Sequence, residues 1–242
     1  MATHKVLGVV SRAADYRDHD RILTLITREQ GRLTATARGC RKPQSKLLTA
    51  GSPFCYGEYV LNEVDGRFYV SQCEVREVFY DIRLRPEALT AAAFATAVCE
   101  EFANPGEPFT KPFSLLLSTL MNLTNQALSP RGSITFFLGK LLCFEGYELE
   151  MNNCILCGSQ TALHRVVLGM GGTVCDQCLA EAEETAPIAD ADRRLLAMLG
   201  DVPSAAYEKV AQAMEQQTTI LPILDWYVRE LVARRLPSLD QI

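Results

Sequence analysis

A chain of 242 residues with 22% charged residues and mean hydropathy near zero has the composition of an ordinary soluble globular protein, long enough for one large core or for two or three smaller units. Its longest apolar run, ALTAAAFATAVC, is too short and too alanine-rich to span a bilayer, and the N-terminus lacks the apolar core of a secretory signal, so no membrane partner and a cytoplasmic location are expected. The net charge of −5 argues against a polyanionic partner until it is divided: residues 1–50 hold ten Lys and Arg against four Asp and Glu, a balance of +6, which leaves −11 for the remainder.

The first eighty residues read as β-structure. KVLGVVSR, RILTLIT, RLTATAR, YGEYVLN and FYVSQCEV are short alternating or β-branched runs, separated by the turn signals REQGR and VDGR and by one long basic connection, GCRKPQSKLLTAGSPF. Five strands with a long connection in the middle suit an OB-type Greek-key barrel, with an SH3-like barrel as the competing topology. From Arg83 the period lengthens to 3.6. Helices are expected at PEALTAAAFATAVCEEF, FSLLLSTLMNLTNQAL and SITFFLGKLLCFEGY, and again at DADRRLLAMLG, SAAYEKVAQAMEQQ and ILPILDWYVRELVARRL. The fold class is therefore α+β: an OB-type barrel over residues 1–80, then a mostly helical domain over residues 81–242 with a cysteine module inserted at about 150–182.

That module, CILCGSQTALHRVVLGMGGTVCDQC, carries two C-x-x-C pairs: Cys154 and Cys157, then Cys175 and Cys178. A C-x-x-C turn aims two sulfurs at one ion, a second pair completes a tetrahedron, and the β-branched and glycine-rich segment between them reads as a zinc-ribbon hairpin. One structural Zn2+ is expected. With four thiolates as ligands no position remains for a reactive water, and His164 reads as a strand residue. The alternative is a redox-regulated zinc protein, with the same pairs as its dithiol switch. The other cysteines, Cys40, Cys55, Cys73, Cys99 and Cys143, read as small buried hydrophobes.

No catalytic constellation emerges. DYRDHDR clusters Asp15, Asp18, His19 and Asp20, yet acidic turns between strands are common, GMGG lacks the Lys-Ser/Thr of a phosphate loop, and there are only three histidines. The protein is expected not to be an enzyme. A basic connection beside a barrel strand, with Tyr16, Tyr56, Tyr59, Phe68 and Tyr69 as the local aromatic supply, points instead to nucleic acid held by its phosphates.

TREQGRLTATARGCRKPQSKLLTAGSPF, with its Gly-Arg strand, basic connection and Pro-Phe pair, resembles the N-terminal signature of the RecO recombination mediators. FFLGKLLCFEGYELEMNNCILCG and GGTVCDQC are similar to the same family's helix before the first zinc pair and to its second pair. The resemblance implies a non-enzymatic protein of DNA repair and homologous recombination, found in the cytoplasm with the nucleoid. Such a protein binds single- and double-stranded DNA, anneals single strands, engages the C-terminal tail of single-strand-binding protein, and helps RecR load RecA. The resemblance places DNA contacts at Arg32, Arg38, Arg41, Lys42 and Lys46 and zinc at Cys154, Cys157, Cys175 and Cys178; Arg12, basic on the first strand, is added to the DNA contacts by its charge, and Arg131 and Lys140 are the basic candidates for partner contacts.

Overall fold

The computed structural model describes residues 2–232 and 234–242; Met1 of the expected barrel and Ala233 of the expected last helix lie outside the described residues. Tertiary contacts divide the chain into two units, residues 1–124 with 237–241, and residues 125–236 with 242.

The first unit is built on strands Ala2–Tyr16 (β1), Asp20–Thr27 (β2), Gly31–Ala37 (β3), Tyr56–Val64 (β4) and Arg67–Glu77 (β5). They close a barrel in the order β1-β2-β3-β5-β4, with β1 paired to both β2 and β4 and β3 parallel to β5. That order is the OB topology, so the SH3-like alternative falls away. The long β1 serves two neighbours because a register shift between Val10 and Arg12 bends it. Alternation sends Val6, Val10, Leu23, Leu25, Leu33, Ala35, Leu61 and Val70 inward to one core. Only Ala35–Phe68 and Thr36–Tyr69 join the parallel seam between β3 and β5.

Helices Pro86–Phe102 (α1) and Thr110–Asn125 (α2) follow. α1 starts at a proline, which loses nothing by lacking an N–H at the first helical position, and its alanine-rich surface packs against β1 and β2. The segment between the two helices reaches the β2–β3 turn: Gly106 N donates to Gln30 O (3.0 Å) and Phe109 N to Arg28 O (2.9 Å).

The second unit centres on Pro130–Phe144 (α3), whose residues from Gly132 to Leu142 are all buried, as befits a helix apolar on every side. Ser129 caps it, its hydroxyl accepting from Gly132 N (3.0 Å). Asp190–Met198 (α4), Tyr207–Glu215 (α5) and Ile220–Leu231 (α6) complete the helical part, with α5 and α6 packed on α3. Between α3 and α4, Leu163–Val167 (β6), Gly172–Cys175 (β7) and Thr185–Pro187 (β8) form a small sheet in the order β7-β6-β8. The hairpin was expected, and the three-residue β8 was not, having no alternation long enough to detect. Among the described residues no helix is long and apolar enough to cross a membrane.

Candidate functional site

The basic connection after β3 is a folded plug. Its backbone runs through successive turns, with Lys42 N donating to Gly39 O (3.2 Å), Ser45 N to Lys42 O (2.9 Å), Leu48 N to Ser45 O (3.2 Å) and Gly51 N to Leu47 O (2.9 Å). Cys40, Ala50 and Cys55 drop into the barrel core, which anchors the segment from beneath. Arg21 pins it from the side, its Nε on Asp15 Oδ1 (2.9 Å) and its Nη1 on Gly51 O (3.1 Å), while Asp20 Oδ1 accepts from Gly39 N (2.7 Å). Arg41 Nη2 also reaches Asp15 Oδ2 (3.3 Å). The hydrogen bond from Arg21, aided by the charges of both arginines, holds the Asp15 carboxyl below its ordinary range. Two carboxylates of DYRDHDR are thus spent on seating the plug. Arg38, Arg41, Lys42 and Lys46 remain exposed along it, so the structure brings these four together on one segment.

Arg12 and Arg32 do not join them. Arg12 grips Glu100 of α1 with both arms of its guanidinium, Nε to Oε1 at 2.9 Å and Nη2 to Oε2 at 2.8 Å, and Glu100 is only 1% exposed. Its first role is to neutralise a buried carboxylate. Arg32, second in β3, lies opposite Ile26, whereas Arg38 follows the strand's far end, roughly 20 Å away at the ordinary rise per residue. The glycine of the Gly-Arg pair also serves packing: Gly31 has φ 57°, and a Cβ there would stand 2.0 Å from Asn104 O.

The aromatic supply divides in the same way. Tyr59 is fully buried, its hydroxyl donating to Ala50 O (2.9 Å). Tyr56 packs on Phe113 with ring centroids 6.1 Å apart, and half-buried Phe68 meets His4 edge-on at 5.5 Å. Among the described residues, arginines lie over three of the tyrosine rings: Arg38 on Tyr69 at 4.1 Å, Arg17 on Tyr16 at 5.1 Å and, farther off, Arg76 on Tyr56 at 6.0 Å, where Phe113 already packs against the ring. Arg17, hidden in the acidic cluster of the sequence, gave no signal of its own there.

In the cysteine module the Sγ atoms of Cys154, Cys157, Cys175 and Cys178 all lie within 4.8 Å of one another, and Cys157 and Cys175 are 3.7 Å apart. Four thiolates about 2.3 Å from a tetrahedral zinc stand about 3.8 Å apart, so the donor set fits that ion. Two knuckles produce the cluster. Gly158, at φ 77°, lets its N–H turn back to Cys154 O (2.8 Å), and Cys178 N donates to Cys175 O (3.1 Å). The bond from Ile155 N to Thr173 O (2.9 Å) ties the first knuckle to β7. Burial opposes ionisation of Cys154, but backbone N–H groups of Cys175, Cys157 and Leu156 hold its thiol at about 6. His164 is exposed and outside the cluster.

Of the expected partner contacts, Arg131 is half-buried and donates from Nη2 to Thr218 O (3.3 Å). Lys140 lies inside, at 2% exposure. Its Nζ donates to Leu199 O (2.7 Å), Gly200 O (3.0 Å) and Val202 O (3.1 Å), which closes the turn after α4. Three carbonyls match the three donors of an ammonium, so this charge serves the interior of the helical unit and not its surface.

Comparison with known proteins agrees with this architecture. The family model for the recombination protein O N-terminal region matches residues 1–79, and that for the C-terminal region matches residues 83–240. The DNA repair protein RecO of Desulforamulus reducens is 35% identical over 74% of this chain and 70% of its own length. That of Bacillus subtilis is 30% identical over 98% and 94%, and that of Clostridium perfringens 26% over 97% and 95%. With both family regions matched in order along nearly the whole sequence, the chain belongs to the RecO family of DNA repair proteins.

Proposed function

We propose that this protein is a non-enzymatic mediator of homologous recombination and repair that binds and anneals single-stranded DNA through the plugged mouth of its barrel. The observation that carries the reading is the plug itself: Arg38, Arg41, Lys42 and Lys46 stand exposed on a segment whose backbone is fixed by turns and by a buried underside. Cations held on a rigid support lose little freedom on meeting a phosphodiester chain. Nothing in such an arrangement reads base sequence, which suits annealing, where any strand must be accepted and the repulsion between two backbones lowered. Residues 1–80 form the DNA-binding part on this reading. The acidic remainder of the chain, with Arg131 as its candidate contact, meets protein partners: the tail of single-strand-binding protein, and RecR in the loading of RecA.

Cys154, Cys157, Cys175 and Cys178 would hold one zinc ion. Bound there, zinc supplies cross-linking in place of an apolar core, and four thiolates leave no coordination position for substrate. The two knuckles and the β6–β7 hairpin present those thiolates, with Leu163 of β6 opposite Cys175 in the sheet register.

The test is annealing of complementary oligonucleotides coated with single-strand-binding protein, comparing wild type with Arg38→Ala/Lys42→Ala/Lys46→Ala. Arg41 is left in place because it braces Asp15. The wild type is expected to accelerate annealing and the variant to lose most of that acceleration. Four phosphate contacts give a slope of log affinity against log salt of about −3 for single strands, and removing three of the cations flattens it by about 2. A slope already flat in the wild type refutes phosphate-dominated binding.

A further inference from the structure

Tyr16 and Tyr69, the two tyrosines with the nearest arginine caps, share the outer face of the barrel, whereas Tyr56 under Arg76 is packed on Phe113. Phe68 and Val70 of β5 pack on the core, so Tyr69 between them points outward, and Tyr16 shares the outward face of Ala14 because Ala13 turns in. Strand register sets Tyr69 in a row running Ala14, Ile22, Thr36, Tyr69, Asn62. The neighbours of the Tyr69 ring along this row, Thr36 and Asn62, are short side chains, which leaves the ring standing above a low surface. Three ladder spacings across the strands and two residues along β1 separate Tyr16 from Tyr69, about 16 Å around the wall. An extended strand crosses that distance in a few nucleotides.

Tyr16 is exposed and Tyr69, beneath Arg38, is half-buried; at the surface a guanidinium on a ring is a weak arrangement compared with a guanidinium on a phosphate, which gains charge-assisted and bidentate hydrogen bonds. Arg38 also begins the basic plug, so a backbone bound by Lys42 and Lys46 passes within its reach. When its head group turns to that backbone, the face of Tyr69 is bared beside it, at the place where the base of the same strand hangs. A duplex keeps its bases stacked on one another and has none to offer.

We infer that Tyr69 and Tyr16 are stacking sites for unpaired bases, each uncovered when its arginine, Arg38 or Arg17, moves from the ring to a phosphate. The inference rests on the DNA-binding reading above and adds that this face of the barrel tells single strands from duplex. Phosphate contacts by themselves do not make that distinction.

The test is equilibrium binding of the full chain to a single strand, a duplex and an abasic strand of equal length at one salt concentration. Tyr69→Ala is expected to lower the ratio of single-strand to duplex affinity about tenfold, Tyr16→Ala to lower it less, and Tyr69→Phe to preserve it. Wild type should bind the abasic strand about tenfold more weakly than the normal strand, and this measurement needs no folded variant. Equal affinity for the normal and abasic strands, or an unchanged ratio in a folded Tyr69→Ala, overturns the stacking sites. If Arg38→Ala/Lys42→Ala/Lys46→Ala still weakens binding to strand and duplex alike, the phosphate reading stands without them. If that variant binds all three ligands like the wild type, the DNA-binding reading itself falls and takes the stacking sites with it.

Discussion

The barrel of β1–β5 and the sheet of β6–β8 both pair antiparallel strands around a buried cluster, but with unequal apolar supply. The barrel buries Val6, Val10, Leu23, Leu25, Leu33, Tyr59, Leu61 and Val70 around one centre. Around the cysteines the smaller sheet buries Leu163, Val167 and Val174, with Val166 buried outside that cluster, and the remaining buried members, Cys154 and Cys175, are themselves candidate ligands. A cluster that size does not offset the entropy of ordering its chain without a staple. The same residue type takes opposite parts in the two regions. Burial raises the thiols of Cys40 and Cys55 in the barrel above their ordinary value, as expected of small hydrophobes, whereas the module's thiols face one another. What a cysteine does here is decided by the apolar mass around it.

The largest expected effect tests the staple. Cys175→Ser, or a strong chelator on the wild type, should release the metal and remove amide-exchange protection from β6 and β7 while the barrel strands keep theirs; structural zinc contributes on the order of 10 kcal/mol to such a site. Zinc content by elemental analysis and exchange by mass spectrometry provide the readout, and uniform protection loss across both regions would break the contrast. Next comes Gly31→Ala, which sets a Cβ against Asn104 O in a left-handed backbone and should cost about 3 kcal/mol in denaturant unfolding. Arg12→Ala leaves Glu100 buried without this partner. Because Arg12 itself is half exposed, a cost of about 2 kcal/mol is expected, less than for a fully buried pair. The smallest effect belongs to Cys40→Ala, about 1 kcal/mol with zinc content unchanged, which would confirm that this thiol serves only as packing volume.

Much of this was legible in the sequence, because periodicity is local. The five barrel strands lie where KVLGVVSR, RILTLIT, RLTATAR, YGEYVLN and FYVSQCEV place them, and α1 spans the expected PEALTAAAFATAVCEEF. The paired cysteines were equally plain, since a knuckle is a four-residue object. What the chain concealed were partnerships across long separations. That Arg12 would be taken by Glu100, 88 positions away, or Lys140 by the carbonyls after α4, is written in no window around either residue. Charge alone marked them as surface groups, and tertiary packing overrode it. The tyrosines show the same limit: the sequence supplied all five aromatics alike, and only the packing of Phe68 and Val70 on the core and the seat of Arg38 on the ring single out Tyr69.

That seam has a further consequence, in the order of events as the chain folds. The hairpins of β1 with β2 and of β4 with β5 join near neighbours, whereas Ala35 and Phe68 meet across 33 positions and share their parallel ladder with only one other pair. A long loop must close before so short a ladder returns anything, so β3 and β5 should zip last and part first. The plug lies within that loop, and its Cys40 and Ala50 are buried in the same core as Ala35 and Val70 on either side of the seam. A ligand bridging Arg38 and Tyr69 would rivet the last joint of the barrel, and occupancy would then register as slower opening of β5, far from any change in shape.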